Sequence, residues 1–255
     1  PIMFETMDAF VRWDQHNEHD TVFRKGSQYR SFSPPDDVAQ LCGGAGDTAT
    51  LLIRRGYRGG PNFDIVVGFD LLNAEVQDNF LKYLKHRKPK ILLISTPCTG
   101  MKGFSALNRA INRKAWLRSR RISVPLGNLG GTAAMLQVNG GRHFIAEHPQ
   151  GSDLWSLPVW KTLRRLPGII HVLVHQCMAG LIGPKNGLPI KQPTEFWASD
   201  KLRIAHIQNL LCDGQHQHSQ LDAREAGAPS DKAKGAAILF LRLCYGLAKG
   251  CEDVL

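Results

Sequence analysis

Four aliphatic residues in a row, Ile91-Leu92-Leu93-Ile94, run into Ser95-Thr96 and then the pair Pro97-Cys98. A strand of that composition has no polar face to show to water, so it has to be covered on both sides. Further strand patterns occur at Val38–Cys42, Phe63–Phe69, His143–Ala146 and Ile169–His175. Helical patterns separate them, at Asp47–Arg55, Ala74–His86, Ser105–Arg121, Leu126–Val138 and Pro158–Leu166. Strands that alternate with helices predict an α/β fold, an open and mostly parallel sheet with helices on both faces.

Residues 1–37 are polar and end in Ser33-Pro34-Pro35-Asp36-Asp37, which reads as an N-terminal extension. Residues 38–180 hold the regular alternation and form the expected core. Residues 181–255 begin with the loop Gly183–Gly187 and continue with a strand at Glu195–Ala198 and a helix at Asp200–Leu211. A linker at Ala223–Pro229 leads to a last apolar helix, Lys232–Leu247. This part is expected to complete the sheet and to carry a small target-binding or metal-binding element and a closing helix. The 255 residues, 43% of them hydrophobic, suffice for one large core. Six widely spaced cysteines fit a reducing, intracellular compartment, nucleus or cytoplasm. No signal peptide is visible. The longest apolar stretch, Ala236–Leu247, is interrupted by Arg242, so no membrane span is expected.

Charge is unevenly spread. From Asn79 to Ala146 there is no Asp or Glu, yet thirteen Lys and Arg occur, in a chain of net charge +10. Pro97-Cys98 sits in the middle of this stretch. A polyanion is the natural partner of such a field, and nucleic acid is the expected one. On a helical wheel Arg109, Arg113, Trp116 and Arg120 share a face, a set suited to phosphates and an unstacked base; the alternative is a Trp116 packed into the core beneath solvated arginines.

Three features fall at expected strand ends. Cys42-Gly43-Gly44-Ala45-Gly46 lies between a strand and a helix, where glycine lets a ligand approach the backbone. Asp70, followed by Leu71, stands where a carboxylate either accepts from ribose hydroxyls or caps the next helix. Pro97 fixes its φ and forces a turn, so Cys98 is pushed out of the sheet. Glu147 follows the strand at His143–Ala146.

In order and spacing these residues resemble the cytosine carbon-5 methyltransferases, over about Val38 to Gln176. That family has a glycine-rich first motif, an acidic residue after its second strand, a Pro-Cys nucleophile and, one strand later, the Glu of Glu-Asn-Val. The resemblance implies a Rossmann-like methyltransferase fold and S-adenosylmethionine bound by Cys42, Gly43, Gly44, Ala45, Gly46, Asp70, Leu71 and Pro97. It implies catalysis by Cys98 with Pro97 and Glu147, acting on cytosine in nucleic acid, DNA before RNA. A thiolate adding to carbon 6 makes carbon 5 nucleophilic, and a cationic neighbour, Lys102 or Arg142, would favour the thiolate. The implied nucleic-acid contacts are Lys102, Arg109, Arg113, Trp116, Arg120 and Arg142, with Thr99–Phe104 as a glycine-hinged loop able to close over a flipped base. The chain departs from the family at His148, which replaces the Asn, and at His175-Gln176-Cys177, where Gln-Arg-Arg is absent. About 75 residues follow Gly180, short for a target-recognition domain.

Cys212, His216 and His218 form a further cluster that Cys177 could complete as a zinc site, or else an unrelated polar loop. Zinc deaminases also use a Pro-Cys pair, but here Met101 stands where their second cysteine would be. A nucleotide-dependent oxidoreductase explains the glycines but not Cys98. The rival from another class is a non-catalytic nucleic-acid-binding module on a methyltransferase-like fold.

Overall fold

The computed structural model describes residues 34–44, 46–101, 109–183, 186–219, 241–253 and 255. Ala45, Lys102, residues 1–33 and the expected linker at Ala223–Pro229 lie outside the described residues. Among the described residues six strands form one sheet: β1 Val38–Leu41, β2 Gly59–Phe63, β3 Ile91–Ile94, β4 His143–Pro149, β5 Ile170–His175 and β6 Pro193–Ala198, in the order β2-β1-β3-β4-β6-β5. The pairs β1–β2, β1–β3 and β3–β4 are parallel. β6 runs antiparallel to both β4 and β5. The carboxyl ends of β1 to β5 therefore share one edge.

The helices are α1 Asp47–Arg54, α2 Ala74–His86, α3 Arg113–Asn139, α4 Pro158–Leu163, α5 Leu202–Ala205 and α6 Leu241–Glu252. They cover both faces, as the buried strands require. Leu92, Ile94, Phe144 and Ala146 point to one face and pack with Phe80 and Leu84 of α2, Leu129 and Ala133 of α3, and Trp160 of α4. Ile91, Leu93 and Ile145 point to the other and pack with Leu52 of α1 and Leu243 and Leu247 of α6. α6 is fixed on α1 by that burial and by an Arg55–Glu252 ion pair of 2.7 Å.

Three expectations are corrected. The helix expected at Asp200–Leu211 is confined to α5, Leu202–Ala205. The second strand is Gly59–Phe63 rather than Phe63–Phe69. As an edge strand it tolerates Pro61, whose missing N–H would interrupt a central ladder. Residues Ile65–Val67 form a short 3-10 turn with exposed Ile65 and Val66. The break expected between helices at Ser105–Arg121 and Leu126–Val138 is absent: α3 runs through Pro125 and starts at the Asn112 cap, residues 109–111 ahead of it are helical, and 105–108 lie outside the described residues. Proline costs one backbone bond there. The buried run Leu126, Gly127, Leu129, Gly130, Gly131, Ala133 and Ala134 outweighs that loss.

Candidate active site and metal-ligand cluster

β1 has β2 on one side and β3 on the other, so the chain leaves it in opposite directions. In open α/β sheets ligands bind at such a reversal, outside the carboxyl ends of the strands. The β1 end carries Cys42 to Gly46, and the β3 end carries Ser95 to Cys98. Ser95 N–H donates to Leu41 C=O at 3.0 Å, which holds the two ends together.

The glycine turn is braced by β2. Gly43 N–H donates to Asn62 Oδ1 at 3.1 Å, Asn62 Nδ2 donates to Gly44 C=O at 2.9 Å, and Gly44 N–H donates to Asp64 Oδ2 at 2.9 Å. A side chain at Gly43 would start 2.9 Å from Asn62 and Gln40, whereas nothing lies within 4 Å of a Cβ built on Gly44. Gly44 and Gly46 both have left-handed φ, 55° and 74°, and Cys42 adopts φ 55° despite its side chain. Burial, with the Asp64 charge adding, pushes the Cys42 thiol up to about 12, so Cys42 is a neutral thiol at physiological pH. Burial likewise raises the Asp47 carboxyl in the first turn of α1.

The carboxylate that follows β2 is Asp64, not Asp70. Asp64 accepts from Gly44 N–H and from Val66 N–H, each at 2.9 Å. Asp70 is exposed and accepts from Leu72 N–H at 3.0 Å in a turn. Leu71 is 4% exposed and packs in the core cluster. Asn62 and Asp64 were not singled out from the sequence. Their signal was an Asn-x-Asp ahead of an exposed turn, masked by Gly59-Gly60-Pro61.

Cys98 is half-buried on a tightly built turn. Met101 N–H donates to Cys98 C=O at 2.9 Å, and Met101 is fully buried with its own C=O accepting from Ser152 Oγ at 2.8 Å. Gly100 abuts α3, where an added Cβ would meet Arg120 N at 2.7 Å. Arg120 donates to Gly100 C=O at 3.2 Å and pairs with Asp153 at 2.7 Å. Gly130 lets α3 approach Ile94 and Thr96, whose methyl carbons stand 3.1 Å from a Cβ built there. Gly100 is therefore packed in place rather than a hinge; residues 102–104 of the expected closing loop lie outside the described residues.

Glu147 follows Ala146, the last partner of Ile94, and so stands at the same edge as Cys98; it pairs with Phe196 of β6. Its neighbour His148 is buried, edge-on to Trp155 with ring centroids 6.1 Å apart.

The basic residues do not form one field. Arg109 and Arg120 both stand over the Trp116 ring, at 5.8 and 5.1 Å from its centroid, and Arg113 is exposed at the start of α3. Arg142 is placed differently. It precedes β4 at the amino edge, opposite Cys98, and donates to Gln137 Oε1 at 2.9 Å and to the Leu84 and Leu136 carbonyls. Burial lowers its pKa from the usual arginine value. Neither the thiolate-stabilising role nor the nucleic-acid role expected of Arg142 fits that position. Arg87 and Lys90 are also tied down, to Asp36 and Asp37.

Cys177 follows β5 at the carboxyl edge, while Cys212, His216 and His218 lie on a segment without helix or strand. Their four ligand atoms lie within 4.8 Å of one another. Burial and the neighbouring Cys212 raise the Cys177 thiol. Burial, then the Lys191 and His218 charges, lower the His175 imidazole; His218 is lowered in the same direction by burial, His216 and Lys191.

No family model matches the chain, and no curated protein matches it. Among the described residues no helix is long and apolar enough to cross a membrane.

Proposed function

We propose that the chain is an S-adenosylmethionine-dependent methyltransferase acting on carbon 5 of cytosine in nucleic acid, with Cys98 as nucleophile. The observation that carries this reading is the meeting of the glycine turn and Pro97-Cys98 at the β1–β3 reversal, with Glu147 in the neighbouring β4, one residue beyond the last β3–β4 pair, Ile94–Ala146. The open space beside Gly44 fits a cofactor lying close against the backbone. Asp64 takes the part first expected of Asp70: each of its oxygens accepts one backbone N–H, and a carboxylate has about four acceptor sites, which leaves capacity for ribose hydroxyls.

The cofactor would supply an electrophilic methyl group. Cys98 adds through sulfur to carbon 6, which moves electron density to carbon 5. Glu147, protonated, donates to ring nitrogen 3 and offsets the charge that builds there. With the methyl group on carbon 5, its bond to the donor sulfur broken and the donor left as a neutral thioether, the carbon-5 proton would pass to water, the Cys98 thiolate would be expelled and the aromatic ring restored. Arg113 and Trp116 on α3, with Arg109 just ahead of it over the Trp116 ring, offer phosphate and stacking contacts next to the turn that presents Cys98.

An oligonucleotide carrying 5-fluorocytosine tests the reading. With cofactor present it is expected to trap a covalent adduct, because fluorine cannot leave in the final step. Cys98→Ser is expected to lose the adduct while retaining cofactor binding and melting temperature. An adduct that survives in that variant assigns the nucleophile elsewhere. No adduct with any DNA or RNA, alongside salt-sensitive binding, would leave the non-catalytic binding module.

A further inference from the structure

The cluster at the far end of the same edge has no part in that chemistry. Cys212 Sγ lies 3.7 Å from His216 Nε2 and 3.4 Å from His218 Nε2, and the two imidazole centroids are 4.5 Å apart. Zinc bonds of about 2.3 Å to sulfur and about 2.0–2.1 Å to nitrogen, opened at the tetrahedral angle, put a sulfur and a nitrogen about 3.6 Å apart. The two observed spacings bracket that value. Cys177, arriving from the turn after β5, brings the fourth ligand atom into the same 4.8 Å group.

The backbone around these ligands is built as metal-bound cysteine loops require. Gly214 N–H donates to Cys212 Sγ at 3.3 Å, which partly balances a thiolate. Cys212 N–H donates to His175 Nδ1 at 2.9 Å, and Ser219 N–H to Pro189 C=O at 2.8 Å, which pins the ligand-bearing segment at both ends. Residues 211–219 have no regular structure, and Leu211 is half exposed, so apolar burial contributes little to holding them.

We infer that Cys177, Cys212, His216 and His218 form a tetrahedral structural zinc centre that staples the segment 211–219 to the carboxyl end of β5. Four protein ligands close the coordination sphere, which marks a structural rather than a catalytic site. Two thiolates and two neutral imidazoles also cancel the metal's charge. The inference stands apart from the methyltransferase reading, since none of the four residues touches the β1–β3 reversal.

The test uses the whole chain purified without chelator. About one equivalent of zinc is expected by elemental analysis, and its removal should lower the melting temperature and restore on adding zinc. Cobalt(II) added to the stripped protein should give the absorption of a tetrahedral, thiolate-ligated ion. Alkylation followed by mass spectrometry should modify Cys177 and Cys212 only in the metal-free protein. Cys212→Ser should weaken zinc retention by more than the ~10–100-fold that outer-shell partners carry. The cobalt and alkylation arms need no variant, so a Cys212→Ser chain that fails to fold leaves the test intact. Zinc lost on desalting, an octahedral cobalt spectrum, or metal-independent alkylation of both cysteines would each overturn the inference.

Discussion

The turn that presents Cys98 and the cluster around Cys212 sit at one edge of the sheet and are held in opposite ways. The first is a product of the core. Met101 is fully buried, Gly130 brings α3 onto Thr96, and the strand end is bonded to Leu41. The second has almost no apolar support and converges through sulfur and imidazole. A site built on packing is rigid before anything binds, whereas one built on ligand atoms owes its order to what they hold. Changes to helix packing should therefore damage the first and spare the second.

Gly130→Val is the strongest test of that contrast. The new Cβ would start 3.1 Å from methyl carbons of Ile94 and Thr96, and overpacking of this kind costs about 1–3 kcal/mol. Chemical denaturation should show that loss, and the Cys98 adduct should form more slowly. Zinc retention should be unchanged. A variant as stable as the wild type would remove packing as the cause of the turn's rigidity.

Asp64→Ala comes next. It strands the Gly44 and Val66 N–H groups, a loss of about 1–3 kcal/mol for partners left unsatisfied. Calorimetry should also show weaker S-adenosylmethionine binding. Asp70→Ala, in an exposed turn, should change stability by no more than about 0.5 kcal/mol and leave cofactor affinity alone. Equal effects of the two variants would return the carboxylate role to an open choice between them.

That pair shows where the sequence was legible. α2 spans Ala74–His86 as its periodicity predicts, and β3 is plain from its four aliphatic residues. β2 was not legible, because Gly59-Gly60-Pro61 has the composition of a turn and becomes a strand only by pairing with β1 at the sheet edge. The apolar run after it was a false strand, since Ile65 and Val66 face solvent. Asp70 inherited a position that belongs to Asp64. The basic stretch misled in a different way. Composition counts charges but not their partners, so Arg142, caged by carbonyls, and Lys90, paired with Asp37, read as part of a surface field. The metal-ligand cluster was legible both in residue types and in its fourth member, since Cys177, named from the sequence, lies with Cys212, His216 and His218.

Alkaline titration again separates the two regions. An ordinary thiol titrates near ~8.5. Cys42 is raised to about 12 and Cys244 to about 11 in the folded chain, both by burial first. Between those values the unfolded chain releases protons that the folded chain keeps, so stability is intact below about pH 8.5 and falls as pH rises through the folded pKa values. Each group contributes at most about 1.4 kcal/mol per pH unit in that window. Denaturation midpoints from pH 8 to 11 should decline accordingly. Alkylation at pH 8 in chelator should reach Cys212 and spare Cys42 and Cys244; a reactive Cys42 would show that the glycine turn opens.

A small change in stability is expected from Arg120, and it discriminates best within the basic face. Its pair with Asp153 is partly exposed, so Arg120→Ala should cost only about 0.2–1 kcal/mol. Arg120 also holds Gly100 C=O, two residues from Cys98, and stands over Trp116. Losing it should loosen the turn and change the alkylation rate of Cys98 severalfold at unchanged pH. Arg113 has a different place, exposed at the start of α3, beyond the turn. Arg113→Ala should leave Cys98 reactivity and stability as they are, yet reduce the slope of oligonucleotide affinity against salt by about one phosphate contact. If Arg113 altered Cys98 and Arg120 did not, the positioning role assigned to Arg120 would be wrong. If both altered only the salt slope, α3 would be a plain phosphate-tracking face, and the rigidity of the Cys98 turn would rest on Met101 and Gly130 alone.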